Sequence, residues 1–122
     1  MTATVRALRG ATTIEVDTPE QIHERVGALV NEMLDRNGVD KEDVVSVVFT
    51  ATDDVTSMFP ATAARAVGLG DVPLLCAREL AIVGGTPLCI RVLMHLTTER
   101  ARSELRHVYL AGAEGLRDDL PV

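Results

Sequence analysis

A regular alternation of side chains over residues 88–97 is the feature that most limits how this chain can fold. The even-numbered residues there are all apolar, which is the pattern of a β-strand that buries one face. Arg91 lies in the middle of the other face, with apolar neighbours on both sides. Because an unpaired buried charge is costly, Arg91 needs a carboxylate, another anion or water. Glu79, which precedes the Gly84-Gly85 turn, is expected either to pair with Arg91 or to face an anionic ligand together with it.

The length and composition of the chain fit one domain with an aliphatic core. At 122 residues, a single domain over residues 1–122 is expected. Apolar residues make up 47% of the chain but aromatic residues only 2%, so Val, Leu, Ile, Ala and Met must fill the core.

Strand and helix patterns follow one another along the whole chain. Thr18 is a good N-cap, Pro19 fits the first helical turn, and Gln21 completes the pattern of a capping box. This helix ends at Asn37-Gly38 and presents one apolar stripe, so it is expected to cover one side of a sheet. Strands are predicted at residues 4–11, 44–52, 72–76, 88–97 and 106–111, and shorter helical pieces at 40–43, 59–68 and 98–105.

Charge and cysteine content exclude several classes of function. The net charge of −6 argues against a nucleic-acid partner, which selects basic surfaces, and provides no polybasic patch for a membrane. No run of about 18 apolar residues is present, and the first residues lack the apolar core of a signal peptide, so a cytoplasmic protein is expected. The two cysteines form neither a disulfide framework nor a metal site.

The sequence contains no recognised motif for nucleophilic or metal chemistry: no CxxC, HExxH, phosphate-binding loop or serine elbow. No metal and no cofactor is therefore expected. Lys41 is the single lysine among 12 basic residues, and arginine is the better residue for binding planar carboxylates. Taken singly, Cys76 fits a buried strand residue and Glu79 a surface charge. The residue patterns alone indicate an α+β domain that binds a small carboxylate.

Five segments carry a family resemblance that extends over nearly the entire chain. They are VRALRGATT, SVVFTATDDVTSMFPATAAR, VPLLCARELAIVGG, CIRVLMHL and RHVYLAGAEGLRDDL, in that order. Together they resemble the small, trimeric, AroH-type chorismate mutases. The differences are peripheral: the loop over residues 67–71 is a residue short, and Leu74 and Leu75 are bulkier or more apolar than in some relatives.

The resemblance implies a fold, an assembly and a set of site residues. The fold is a mixed β-sheet with helices packed on one side, and three copies form a homotrimeric pseudo-α/β-barrel with sites at the three clefts. Arg91, Glu79 and Arg9 match the family's catalytic positions. The substrate-binding positions match Arg9, Phe59, Arg65, Leu75, Cys76, Glu79, Arg91, Tyr109, Leu116 and Arg117. Phe59 and Arg65 are expected from the neighbouring subunit.

The implied reaction, chorismate to prephenate, is a unimolecular Claisen rearrangement that needs no nucleophile, metal or proton transfer. Arg91 would stabilise negative charge that grows on the ether oxygen in the transition state. Glu79 and Cys76 would contact the substrate hydroxyl, and Arg9 and Tyr109 would bind carboxylate. Two alternatives stay open at this point: a similarly shaped trimeric enamine or imine deaminase, and a non-catalytic trimer that senses a small carboxylate metabolite.

Overall fold

The computed structural model describes residues 2–116, which form one mixed sheet with helices on one of its faces. The strands are β1 (Thr4–Thr13), β2 (Val44–Ala51), β3 (Leu74–Arg78), β4 (Cys89–Thr98) and β5 (Val108–Tyr109), and the helices are α1 (Pro19–Asn37) and α2 (Pro60–Ala64). A wide helical turn over Arg65–Leu69 continues α2. The predicted α+β fold with helices on one side is confirmed.

The five strands lie in the order β3-β2-β4-β1-β5. The centre of the sheet is the long antiparallel pairing of β1 with β4, from Thr4 opposite Thr98 to Thr13 opposite Cys89. β2 is antiparallel to β4, whereas β3 runs parallel to β2 and β5 runs parallel to β1. A single chain is thus an open sheet and not a closed barrel.

Helix α1 has the predicted bounds and packs through its predicted apolar stripe. Thr18 Oγ1 accepts a hydrogen bond from the Gln21 N–H at 3.2 Å, and Gly38 ends the helix with a left-handed φ of 61°. The predicted capping box does not form, however. Gln21 Oε1 accepts a hydrogen bond from the Glu15 N–H at 2.8 Å and not from the N–H of the N-cap residue, so this side chain holds the preceding loop. The stripe is buried throughout, at Ile22, Val26, Leu29, Val30, Met33 and Leu34.

The core lies between α1, α2 and one face of the sheet. Ile90, Val92, Met94 and Leu96 of β4 are all buried, as their alternation predicts, and Phe49 of β2 is fully buried beside them. Gly10 allows the helix to approach β1 closely, because a Cβ there would lie 2.6 Å from Met33 Sδ.

Several predicted element boundaries are wrong. β1 reaches Thr13, β2 ends at Ala51, β3 begins at Leu74, and the last strand has only two residues. That strand stays short because His107 Nδ1, a side-chain atom, accepts the Arg9 N–H at 2.9 Å. The helix predicted over residues 98–105 is a single 3₁₀ turn, Arg102–Glu104, since so short a polar segment cannot offset the cost of helix nucleation.

The sheet face opposite α1 and α2, called the open face here, carries an unusual mixture of apolar and charged side chains. The paired strands place on it Val5, Ala7, Arg9 and Ala11 of β1, Val48 and Thr50 of β2, Leu75 of β3, and Arg91, Leu93 and His95 of β4. Leu75 is 63% exposed and Leu93 39% exposed. β2 likewise buries only one of its faces in the single chain, although nearly all of its residues are apolar. Within residues 2–116, no helix is long and apolar enough to cross a membrane.

Candidate active site

Arg91 lies at the centre of the open face. It stands opposite Thr50 in β2 and Ala11 in β1, so three neighbouring strands fix its backbone. Its Nη1 lies 2.9 Å from Glu79 Oε2, with side-chain exposures of 25% for Arg91 and 22% for Glu79. The predicted pairing of Arg91 with Glu79 is confirmed. The pair is partly desolvated, which strengthens its electrostatic interactions, and it is open enough for a ligand to reach it.

Glu79 directly follows β3 and is held by the end of β2. Its N–H donates to the Ala51 carbonyl at 2.9 Å, and the Thr50 hydroxyl donates to its Oε2 at 2.5 Å. Burial alone would raise the pKa of the Glu79 carboxyl. The hydrogen bonds from Thr50 and Arg91 and the positive charge of Arg91 outweigh it, so the net pKa is lowered. Glu79 is consequently a carboxylate at neutral pH.

Arg9 adds a second cation to the same groove. It lies two residues from Ala11 along β1, on the open face, next to Leu93 of β4. The residues that line this groove are Arg9, Val48, Thr50, Glu79, Arg91, Val92 and Leu93. Two guanidinium groups and one carboxylate above an apolar floor suit a small, largely apolar ligand that carries carboxylates.

Tyr109 lies in the same row of the sheet as Arg91. Tyr109 of β5 stands opposite Ala11, which itself stands opposite Arg91. Ala11, Tyr109 and Ala113 form a small buried cluster, and Leu116 packs against it. The chain therefore folds back over one end of the open face, beside the row that contains Arg91. Arg117, the other predicted tail residue, lies outside the described residues.

Phe59 and Cys76 line a second groove. Phe59 is 71% exposed, and both side chains face a groove between the segment after β2 and the end of β3. Cys76 stands opposite the buried Phe49 and packs against the core, on the face away from Arg91. One chain therefore does not bring Cys76 and Glu79 into one groove.

The two remaining predicted residues lie apart from both grooves. Leu75 is on the open face, in the same row as Val48 and Leu93. Arg65, at the end of α2, is exposed, and its Nη2 donates to Thr62 Oγ1 at 3.2 Å.

Asp17 was not predicted, although it fixes the loop that carries Phe59. Its carboxylate accepts hydrogen bonds from the N–H and hydroxyl groups of both Thr56 and Ser57, at 2.7–3.1 Å. The hydrogen bond from the Ser57 hydroxyl is the main cause that lowers the Asp17 pKa to about 2. Residues 17 and 57 are distant in the sequence, so no local pattern could have revealed this contact.

Among residues 2–116, no group of three or more His, Cys, Asp or Glu side chains could hold a metal ion.

Comparison with known proteins identifies the family of this chain. Residues 5–120 match the family described as "Chorismate mutase type I". The chain belongs to that family. Among related proteins, the chorismate mutase AroH of Thermus thermophilus is 49% identical over 117 residues, which cover 95% of this chain and 96% of the relative. The chorismate mutase AroH of Bacillus subtilis (strain 168) is 40% identical, with 95% and 92% covered.

A solved structure supports the same assignment at the level of the fold. A chorismate mutase from Clostridium thermocellum superposes with a TM-score of 0.87 at 39% identity, and the match covers 89% of this chain and 97% of that one. The family resemblance predicted from the five sequence segments is confirmed. Most of the predicted site residues of this type I chorismate mutase fall into two sets, one centred on Arg91 on the open face and the other on Phe59, with Leu75 and Arg65 outside both.

Proposed function

We propose that this chain catalyses the rearrangement of chorismate to prephenate, a step toward phenylalanine and tyrosine, in the cytoplasm. The observation that carries the proposal is the Arg91–Glu79 pair, in which a cation and a carboxylate lie 2.9 Å apart in a groove that Arg9 also lines. The related chorismate mutases named above support the choice of substrate. The reaction is unimolecular, so the residues need only bind, orient and stabilise charge.

Arg91 supplies the electrostatic part of the mechanism. In the transition state the ether C–O bond breaks ahead of C–C bond formation, so negative charge grows on the ether oxygen. Arg91 uses one N–H toward Glu79, and its guanidinium makes no other hydrogen bond to a described residue, so further N–H donors are available. A donor fixed by the sheet stabilises the transition state more than the ground state.

Glu79 and Arg9 bind the remainder of the substrate. The side-chain contacts from Thr50 and Arg91 both end on Glu79 Oε2, so neither uses Oε1. In the proposal Oε1 accepts a hydrogen bond from the substrate hydroxyl, and the carboxylate complements positive charge that develops on the ring. Arg9 and Tyr109 bind carboxylate and hold the diaxial conformer, which lowers the entropic part of the barrier.

The proposed enzyme is a homotrimer whose sites lie between subunits. The open face leaves Leu75 and Leu93 exposed in the single chain, so packing against another copy would bury apolar area. In the trimer, Phe59 and Arg65 reach the Arg91 groove of the neighbouring subunit. Cys76 shares the groove of Phe59 and would come with it. Leu75, which lies outside both grooves in the single chain, would reach the substrate from β3 only in the trimer.

The test of the function is direct. Purified protein is mixed with chorismate and a chelator, with no cofactor added, and the mixture is followed by loss of chorismate absorbance and by chromatography of the products. Prephenate is expected. Binding without turnover would instead support a metabolite sensor, and ammonia release from an enamine substrate would support a deaminase.

Removing the tail is expected to weaken substrate binding more than turnover. Because Ala113 is buried with Ala11 and Tyr109, the cut is made after it, and residues 114–122 are deleted. Loss of the Leu116 and Arg117 contacts should raise KM by about tenfold, which corresponds to about 1.4 kcal/mol, and change kcat less. Kinetics with chorismate, together with the melting temperature, check this. An unchanged KM would reject a role for the tail in binding the substrate.

A further inference from the structure

The hydroxyl of Thr50 contacts the Arg91–Glu79 pair from the neighbouring strand β2. Thr50 is directly opposite Arg91 in the antiparallel pairing of β2 with β4, on the open face. Its Oγ1 donates to Glu79 Oε2 at 2.5 Å, the same oxygen that lies 2.9 Å from Arg91 Nη1. Thr50 therefore contacts Glu79 from the strand that also sets the position of Arg91.

The position of Glu79 in the chain makes this contact important. Glu79 is the last residue tied to β2, through its N–H to the Ala51 carbonyl at 2.9 Å. The residues that follow are exposed, including Leu80 at 78%, Ile82 at 68% and Val83 at 100%. The following loop adds only the backbone N–H of Leu80, so the side-chain groups that hold the Glu79 carboxylate are Thr50 and Arg91.

Resting on the proposed function, we infer that Thr50 is a positioning residue for the reaction, whose hydroxyl holds the Glu79 carboxylate when Arg91 turns to the substrate. Arg91 shares its charge between Glu79 and the ether oxygen once chorismate is bound, so its hold on Glu79 weakens as the reaction proceeds. Thr50 carries no charge and has no proposed contact with the substrate, so its hydrogen bond to Glu79 does not change when chorismate binds. Its hydrogen bond keeps Oε2 occupied and Oε1 directed at the groove.

The test compares Thr50→Val with Thr50→Ser. Valine keeps the shape and strand preference of threonine but lacks the hydroxyl, whereas serine keeps the hydroxyl. Loss of a hydrogen bond to a charged group should lower kcat/KM about tenfold in Thr50→Val, mostly through kcat, and Thr50→Ser should recover most of it. Thr97→Val is the matched control, because Thr97 is on β4 and donates to a backbone carbonyl at 3.3 Å, away from Glu79.

The pH profile gives a readout that a purely structural role would not move. The hydroxyl of Thr50 is one of the groups that lower the Glu79 pKa, so its removal raises that pKa. The acid limb of kcat/KM should then move to higher pH in Thr50→Val but not in Thr50→Ser or Thr97→Val. Other ionisable groups that face Glu79 are Arg91 and Cys89 of β4, Arg9 of β1, and Asp53 and Asp54 after β2. All are unchanged in these variants, and circular dichroism at each pH verifies folding.

Carbon-13 NMR titration of the Glu79 carboxyl separates this inference from the proposed function. If the wild-type protein forms no prephenate, the proposed function fails, yet the titration still reports whether Thr50 holds Glu79. A raised Glu79 pKa in Thr50→Val, together with the shifted acid limb, supports the inference. An unchanged Glu79 titration, or normal kcat with an unmoved limb in an active enzyme, overturns it.

Discussion

Replacing Arg91 with alanine is expected to lower kcat by at least about 10²–10³-fold, the loss seen when a single donor to a developing oxyanion is removed. Arg91 is proposed to stabilise charge that exists only in the transition state. The affinity of the protein for chorismate in the ground state should therefore fall much less than kcat. Arg91→Lys keeps the charge but loses the planar set of donors, and should recover only part of the loss. Steady-state kinetics, ligand affinity and the melting temperature are measured on both variants.

Arg36→Ala is a matched control for this experiment. Arg36 pairs with Glu32 on α1 at 2.9 Å, the same N–O distance as in the Arg91–Glu79 pair. Its loss should leave kcat unchanged, since a surface pair contributes at most about 1 kcal/mol to stability. If Arg91 only held the strand in place, Arg91→Ala would lower the melting temperature while the folded fraction kept its activity. A well-folded Arg91→Ala protein with near-normal kcat would remove the central part of the mechanism.

The features predicted correctly depend on patterns that are local in the sequence. The alternation around Arg91 identified both faces of β4, and an arginine among apolar residues required a partner, which Glu79 supplied. Thr50 was missed because its role depends on how β2 is aligned with β4, and the alignment of distant strands is not encoded by the residues near Thr50. Asp17 was missed for the same reason, since its partners lie about 40 residues away.

The division of the site into two sets also depends on tertiary structure. Cys76 and Glu79 are three residues apart, and the family resemblance implies that both contact one substrate hydroxyl. Cys76 faces the core because it stands opposite Phe49, whereas Glu79 lies past the end of β3 and reaches Arg91 across β2. The resemblance implies that both residues belong to the family's site, but their distribution over two grooves follows from the order and register of the strands.

This division leads to a test of the intersubunit site by complementation. In the proposed trimer, Arg91 and Arg9 belong to one half of each site, and Arg65 of the neighbouring subunit belongs to the other. Arg65→Ala should lower kcat/KM by about 10–100-fold through a lost charged hydrogen bond to substrate carboxylate. Arg91→Ala is deficient for a different reason, so each variant lacks a part that the other retains.

Trimers that contain both variants should regain activity that neither parent has. In a cyclic trimer that contains both Arg91→Ala and Arg65→Ala chains, one of the three sites receives an intact half from each side, whichever variant is present twice. Activity should therefore rise to about a third of the wild-type value, measured as kcat/KM on coexpressed, doubly tagged trimers whose mass is verified by light scattering. Arg9→Ala mixed with Arg91→Ala is the control, because both changes fall in the same half and no intact site can form. If the Arg91→Ala and Arg65→Ala mixture shows only the average of its parents, or a fully active monomer is found, each site lies within one chain and the intersubunit proposal is wrong.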